Sequence, residues 1–302
     1  MRAVWSFWSK PYQARKGRTW REPHHHLLAW GLSLRQASKH YPDTMLVTDK
    51  AGKALLIDQL GLDFKHVSTE LEALRDADIG WWALGKLYAY SLQDRPFIHL
   101  DTDVFLWKPL PLSVAQSPVF AQSPEFHSSV GPDCLPAKIE AAFAKYDLPL
   151  PPEWEWSRSL GESSFREENC GILGGQRHDF LRYCAQLGLR MVRDPTHAPA
   201  WRELPNKDGY NMMVEQFLLS ACLDYHRIHP QSPYRDVRVR YLLPNWADAF
   251  DPAKIAQVGY THLLGDSKAD GAVMQRLERR VQSEDREFYR HCLWLGQRMA
   301  GA

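Results

Sequence analysis

Cysteine is scarce in this chain and is not arranged for chemistry. Five occur in 302 residues, at Cys134, Cys170, Cys184, Cys222 and Cys292, and no two form a Cys-x-x-Cys pair. That excludes a zinc ribbon and a disulfide framework, and it points to reduced thiols in a cytoplasmic compartment. No run approaches the ~20 apolar residues of a membrane span. The first stretch, MRAVWSFWSKPYQ, lacks a sustained apolar core and a small-residue cleavage site, so no signal peptide is expected. A charge excess of one sign is missing too. Lys and Arg number 37 against 36 Asp and Glu, a formal net charge of +1, so nothing demands nucleic acid or an anionic membrane. Arginines crowd the C-terminal stretch, but Glu278, Glu284, Asp285 and Glu287 interleave with them, as on a solvated helix face. Internal repeats, low-complexity tracts and domain-separating linkers are absent as well.

What is present is ordinary globular composition, 44% hydrophobic and 24% charged, long enough for one large domain with a substantial core. Twelve tryptophans, twelve tyrosines and twelve phenylalanines can fill that core or stack on the apolar faces of sugar rings.

The first hundred residues alternate strand and helix. Strands are expected at 3–8, 44–48, 64–67 and 97–101, with helices at 23–39, 50–60 and 80–93 between them. This alternation predicts an α/β fold, an open and mostly parallel sheet with helices on both faces. The second half is less regular: strands near 119–122, 170–175, 237–243 and 260–264, helices near 136–146, 176–192 and 210–223, and one C-terminal helix. The segment 148–169, LPLPPEWEWSRSLGESSFREEN, reads as a long loop, an acceptor platform or lid.

Within RPFIHLDTDVFLWKPLP an apolar strand ends in Asp101 and Asp103. Carboxylates two apart on an extended chain share a face, and near a core they need a cation. Open α/β sheets bind ligands outside the carboxyl ends of their strands, where this pair lies. At another strand end, YTHLLGDSK places Gly265 three residues and Lys268 six residues after His262. Two carboxylates and an imidazole suit Mn²⁺ or Mg²⁺ beside a diphosphate. Gly265 would let backbone amides approach the phosphate, and Lys268 would supply it with a point charge.

These segments resemble the GT-A-fold glycosyltransferases, in particular the family of glycogenin and the bacterial lipopolysaccharide galactosyltransferases. HLDTDVFLWKPLP is similar to that family's Asp-x-Asp strand and HLLGDSK to its late His-x-x-Gly-x-x-Lys motif. The resemblance covers roughly residues 80 to 110 and 165 to 268. It implies metal ligation by Asp101, Asp103 and His262, and diphosphate contacts from Gly265 and Lys268. ENCGILGG implies a donor-sugar pocket at Asn169 and Gly171, VEQFLL puts Glu215 and Gln216 near the reacting carbon, and GKLYAY puts Lys86 over the donor. The implied organisation is a single glycosyltransferase domain over 1–302, with a nucleotide-binding half at 1–115 and an acceptor-binding half with the C-terminal helix at 116–302. Its cofactor would be Mn²⁺ or Mg²⁺, its donor a nucleoside diphosphate sugar, and its acceptor a glycan, lipopolysaccharide or capsule-type hydroxyl. Departures exist: WSFWSKPY offers no carboxylate for the base, and Glu215 stands where the family has Asp.

Two other readings stay open. Haloacid-dehalogenase-type phosphohydrolases also use an Asp-x-Asp strand, and GDSKAD imitates their late acidic motif, although their aspartate strand normally comes first. A catalytically inactive carbohydrate-binding protein would keep the aromatics without needing the metal triad. Asp49 reads as a helix cap. The run His24, His25 and His26 looks like a metal cluster, but successive helical residues point about 100° apart and cannot converge on one ion.

Overall fold

The computed structural model describes residues 1–14, 20–131 and 133–300. Its strands are β1 (Arg2–Phe7), β2 (Thr44–Thr48), β3 (His66–Ser68), β4 (Phe97–Leu100), β5 (Val104–Leu106), β6 (Val119–Ala121), β7 (Pro124–Ser128), β8 (Ser164–Glu168), β9 (Ile172–Gly175), β10 (Val239–Tyr241) and β11 (Tyr260–His262). Seven form one sheet in the order β10-β6-β9-β4-β1-β2-β3, while β5 pairs with β11 and β7 with β8. Within the large sheet only β9 runs antiparallel to its neighbours. The expected open, mostly parallel sheet is present.

The helices that matter for the site are α1 (Pro23–Ser38), α2 (Leu84–Ser91), α3 (Pro152–Ser159), α4 (His178–Arg193), α5 (Leu218–Ile228), α6 (Gly271–Glu284) and α7 (Arg286–Ala300). Strand side chains alternate between two cores. Val4, Val47, Phe97, Val119 and Leu173 pack with residues of α2, α4 and α5. Ala3, Trp5, Leu46, Ile98, Phe120 and Ile172 pack with residues of α1, α6 and α7 on the opposite face. The period-two pattern of each strand therefore puts helices on both faces, which is why these strands read as apolar runs.

Several expectations change. Residues 148–169 are not a loop, because Pro152 starts α3 and Ser164–Glu168 pairs with Pro124–Ser128 as an antiparallel ribbon. Buried Trp154 sits edge-on to Phe217, 4.6 Å between ring centres, so this tryptophan fills core and offers no platform. The helix expected from Tyr210 begins at Asp208 and passes through a π-helical turn, Met213–Phe217, before α5. The single C-terminal helix is two, α6 and α7, separated at Asp285, whose backbone is extended. Strand β4 stops at Leu100, leaving Asp101 in the turn that follows. No helix among the described residues is long and apolar enough to cross a membrane, and all five cysteines are buried and free.

Helix α1 carries His26 into the core, where Trp30 Nε1 donates to its Nε2 at 3.0 Å. Burial, reinforced by Lys268 and opposed by Asp103, pushes the imidazole down to about 3. Because the folded value lies below the unfolded one, the unfolded chain takes up the proton first. The stability that His26 contributes is therefore complete above about pH 6.5 and lost as pH falls towards 3. His26→Gln keeps an acceptor for Trp30 and removes the proton site. Between pH 7 and 4.5, denaturant titrations should show the wild type losing roughly 2 kcal/mol more than this variant; parallel losses would exclude a titrating His26.

Candidate active site

Two strand pairings bring distant residues together. Strand β11 runs antiparallel to β5 with His262 opposite Val104, one residue past Asp103, and Leu263 N–H donates to the Asp103 carbonyl at 3.0 Å. Strand β9 runs antiparallel to β4 with Ile172 opposite Leu100, so Asp101 N–H reaches the Gly171 carbonyl at 2.9 Å. A one-residue slip of β11 would turn His262 to the other face; Trp107 Nε1–H, held 2.9 Å from Thr261 Oγ1, ties that register across the pair. As a result Asp101, Asp103 and His262 each offer a ligand atom within 4.8 Å of the others. Donors 2.0–2.5 Å from one ion can be no farther apart than about that.

Lysines balance the carboxylates. Lys86 Nζ lies 3.1 Å from Asp101 Oδ1 and 2.9 Å from Glu215 Oε1, and donates to the Cys170 carbonyl at 3.1 Å. Burial works against its ammonium, but Asp101 and Glu215 outweigh it and hold it charged, above the usual lysine range. Lys268 Nζ sits 2.6 Å from Asp103 Oδ2. Burial would raise the Asp103 carboxyl, yet Lys268 and His262 keep it well below the carboxylate range. Asp101 leans the other way, raised by burial and by Asp103 despite Lys86. The spacing suggested that Lys268 serves phosphate; it also neutralises Asp103.

Gln122 sets the tautomer of His262. Its Nδ1 lies 2.6 Å from Gln122 Oε1, which also accepts from Tyr260 OH at 2.6 Å. An Nδ1–H donor leaves the Nε2 lone pair free, and Nε2 is 3.6 Å from Asp103 Oδ1. Gln122 went unnoticed in the sequence; a polar residue just past strand β6, fully buried, was the available signal. Gly171 is needed for a reason the motif hides. A Cβ there would stand 2.3 Å from Cε1 and 2.4 Å from Nδ1 of His262, so glycine makes room for the imidazole. Its N–H donates to Asn169 Oδ1 at 3.0 Å, and Asn169 Nδ2 donates to Glu125 Oε1 at 2.6 Å. Gly265 has φ 57°, the left-handed region that glycine adopts freely.

The π-helical turn carries Glu215 and Gln216, and such turns recur where side chains must be re-aimed. Glu215 is buried, paired with Lys86, and accepts from Tyr90 OH at 3.0 Å. Gln216 faces the cleft; Glu215 stands behind it. The other expectations resolve similarly. Asp49 caps its helix, accepting from Gly52 N–H at 2.7 Å. His24 and His25 both meet Glu278, at 3.1 and 2.8 Å, while His26 turns into the core. Since Glu22 N–H donates to His25 Nδ1, His25 Nε2 carries a proton and offers no lone pair there.

A model of a family of unknown function (DUF6734) matches residues 1–295. The chain belongs to that family. No curated protein matches it. Among solved structures, a galactosyltransferase LgtC in complex with donor and acceptor sugar analogs is similar at 14% identity, over 94% of this chain and 96% of that one, with a TM-score of 0.38. An active-site mutant of LgtC is similar at 12% identity over the same shares, with a TM-score of 0.39. Likenesses this loose carry no argument about chemistry, which rests on the side chains.

In this DUF6734 chain the side chains line one cleft of about 2040 Å³. Trp20, Arg21, Lys268, Asp101, Asp103 and Gln216 line it, as does the cluster Glu125, His127 and Glu167. Burial, then the charges of Glu125 and Glu215, push the Glu167 carboxyl up to about 8.

An ion held by Asp101, Asp103 and His262 would depend on the residues that aim His262. Gly171→Ala forces its ring aside, and Gln122→Leu removes the acceptor for Nδ1–H. Each should weaken Mn²⁺ binding at least about 10-fold while the fold is kept. Titration of Mn²⁺ followed by electron paramagnetic resonance, with a nucleoside diphosphate present, reads the loss, and unchanged affinity in both variants would remove His262 from the ligand set.

Proposed function

We propose that this DUF6734 chain is a metal-dependent glycosyltransferase that moves a hexose from a nucleoside diphosphate sugar to an acceptor hydroxyl, on a glycan or a lipopolysaccharide or capsule-type molecule. One observation carries the reading: Asp101, Asp103 and His262, from separate segments, offer ligand atoms within 4.8 Å of one another, with Lys268 beside them.

The donor set fits Mn²⁺ or Mg²⁺, hard oxygens with one imidazole. Bound there, such an ion would neutralise the diphosphate leaving group. Lys268, pairing with Asp103 at 2.6 Å, is free to exchange that partner for a phosphate once a cation takes over the carboxylate. Gly265, left-handed at φ 57°, frees its neighbouring amides to face the same oxygens. Asn169 and Gly171 line the donor-sugar side. Lys86 holds Asp101 and Glu215 at once, so it sets the distance between the metal ligands and the turn that bears Gln216. Glu215, buried in that ion pair, acts as a positioning residue, and Gln216 is the one that reaches the reacting sugar. The phosphohydrolase reading loses support: Asp101 is tied to Lys86, and Asp270, the last acid of GDSKAD, caps α6 by accepting from Val273 N–H at 2.8 Å.

A transferase hydrolyses its own donor slowly when no acceptor is present. Across a panel of nucleoside diphosphate hexoses with Mn²⁺, the wild type should release nucleoside diphosphate from one or a few. Asp103→Ala or a chelator should abolish release, a drop of at least ~10²-fold. Turnover of p-nitrophenyl phosphate that disappears in Asp101→Asn would overturn the reading in favour of a phosphohydrolase.

A further inference from the structure

The ribbon of β7 and β8 carries a second cluster of ligand-type residues on its cleft-facing side. Glu125 lies directly opposite Glu167 in the antiparallel register, and His127 follows Glu125 on the same face, opposite Phe165. Like charges directly across a ladder repel. Nothing positive compensates them: among the described residues no lysine or arginine pairs with Glu125 or Glu167. The other face of the same ribbon shows the usual solution, Arg166 pairing with Glu168 at 2.8 Å and with Asp224 at 2.9 Å.

Glu167 is 5% exposed, yet among the described residues nothing donates a hydrogen bond to its carboxylate; besides the like-charged Glu125 and Glu215, the nearest ionisable group is His127, with Nε2 at 3.8 Å. His127 Nε2 is also 3.9 Å from Glu125 Oε2, and Glu125 is itself fixed by Asn169. One ligand atom from each of the three residues lies within 4.8 Å of the others. A buried carboxylate beside a second one is costly unless a proton or a cation joins them.

We propose that Glu125, His127 and Glu167 form a second divalent-metal site, distinct from the one at Asp101, Asp103 and His262. Two carboxylates and an imidazole suit a transition-type ion such as Mn²⁺ or Zn²⁺. A separation of 3.8–3.9 Å closes onto an ion about 2.1–2.3 Å from each donor with small side-chain shifts. Three protein ligands leave coordination positions open, and His127, with its side chain 45% exposed, stands at the solvent side of the site. Those positions face the cleft, where oxygen groups of an entering molecule can complete the shell. That last role rests on the transferase reading, whereas the metal binding itself does not.

Titrating the full chain with Mn²⁺ and, separately, Zn²⁺ in the absence of nucleotide tests the site. The wild type should bind an ion that Glu167→Gln loses, that His127→Ala holds at least 10-fold more weakly, and that Asp103→Asn retains. In metal-free buffer Glu167→Gln should melt no lower than the wild type, since it relieves repulsion, which shows that the variant folds. Wild-type binding in Glu167→Gln would overturn the site, as would the absence of nucleotide-free binding in every form. A loss confined to Asp103→Asn would refute it while leaving the transferase reading standing. Loss in Glu167→Gln, with donor hydrolysis absent in the wild type, would leave the site standing and that reading refuted.

Discussion

Two carboxylates in the turn after one strand, Asp103 buried and Asp101 partly so, need partners, and the architecture around them supplies two ammonium groups and an imidazole from three directions. Lys86 comes from α2, Lys268 from the turn after β11, and His262 from β11 itself. Breaking a buried pair by removing one partner costs about 3–5 kcal/mol, because a desolvated charge is left behind. The pairing of β11 with β5 and the antiparallel setting of β9 are therefore electrostatic requirements as much as hydrogen-bonding ones. Without them Asp103 would lack Lys268 and His262, and Asp101 would lack the Gly171 carbonyl that holds its backbone.

The same arrangement explains why the pairs are poor stabilisers and how they would suit a cation. An ion pair of this kind roughly offsets its own desolvation. A divalent cation displacing an ammonium would meet aspartates already aimed and a histidine whose Nε2 lone pair is free. Preorganisation of this sort depends on groups that touch no ligand. Gln122 chooses the tautomer, Gly171 leaves room for the ring, and the Cys170 carbonyl steadies Lys86. Each is small or buried, and each would pass for ordinary core.

Legibility followed the physics of each part. The central strands of the large sheet, β4, β6 and β9, are buried on both faces, so their apolar runs stood out, and the fold class followed from the alternation of strands with helices. The Asp-x-Asp pair and the His-Gly-Lys spacing are local in sequence, so they could be read; their meeting depends on the β5 and β11 register, which spacing does not encode. Residues 148–169 misled because proline and serine are as much at home at the start of α3 as in a loop. Trp154, taken for a platform, was core. Ribbon β7–β8 was invisible for a different reason. PEFHS and SFREE carry mixed polar residues on both faces, so no alternation announces a strand, and the opposition of Glu125 to Glu167 exists only once the two are paired.

A net charge of +1 conceals how unevenly the cleft is charged. Lys86 and Lys268 line it beside the aspartates, while Glu125 and Glu167 line it along the ribbon, with no lysine or arginine among the described residues paired to them. In a cleft walled by apolar side chains such fields are focused instead of averaged away. Anionic groups are therefore drawn to the lysine side and cationic or metal-bound groups to the ribbon. Asn169 spans the boundary, its oxygen accepting from Gly171 N–H and its amide donating to Glu125. One short turn between β8 and β9 thus ties together the two sides of the cleft, and a shift in Glu125 is passed through Asn169 to the backbone against which His262 is packed.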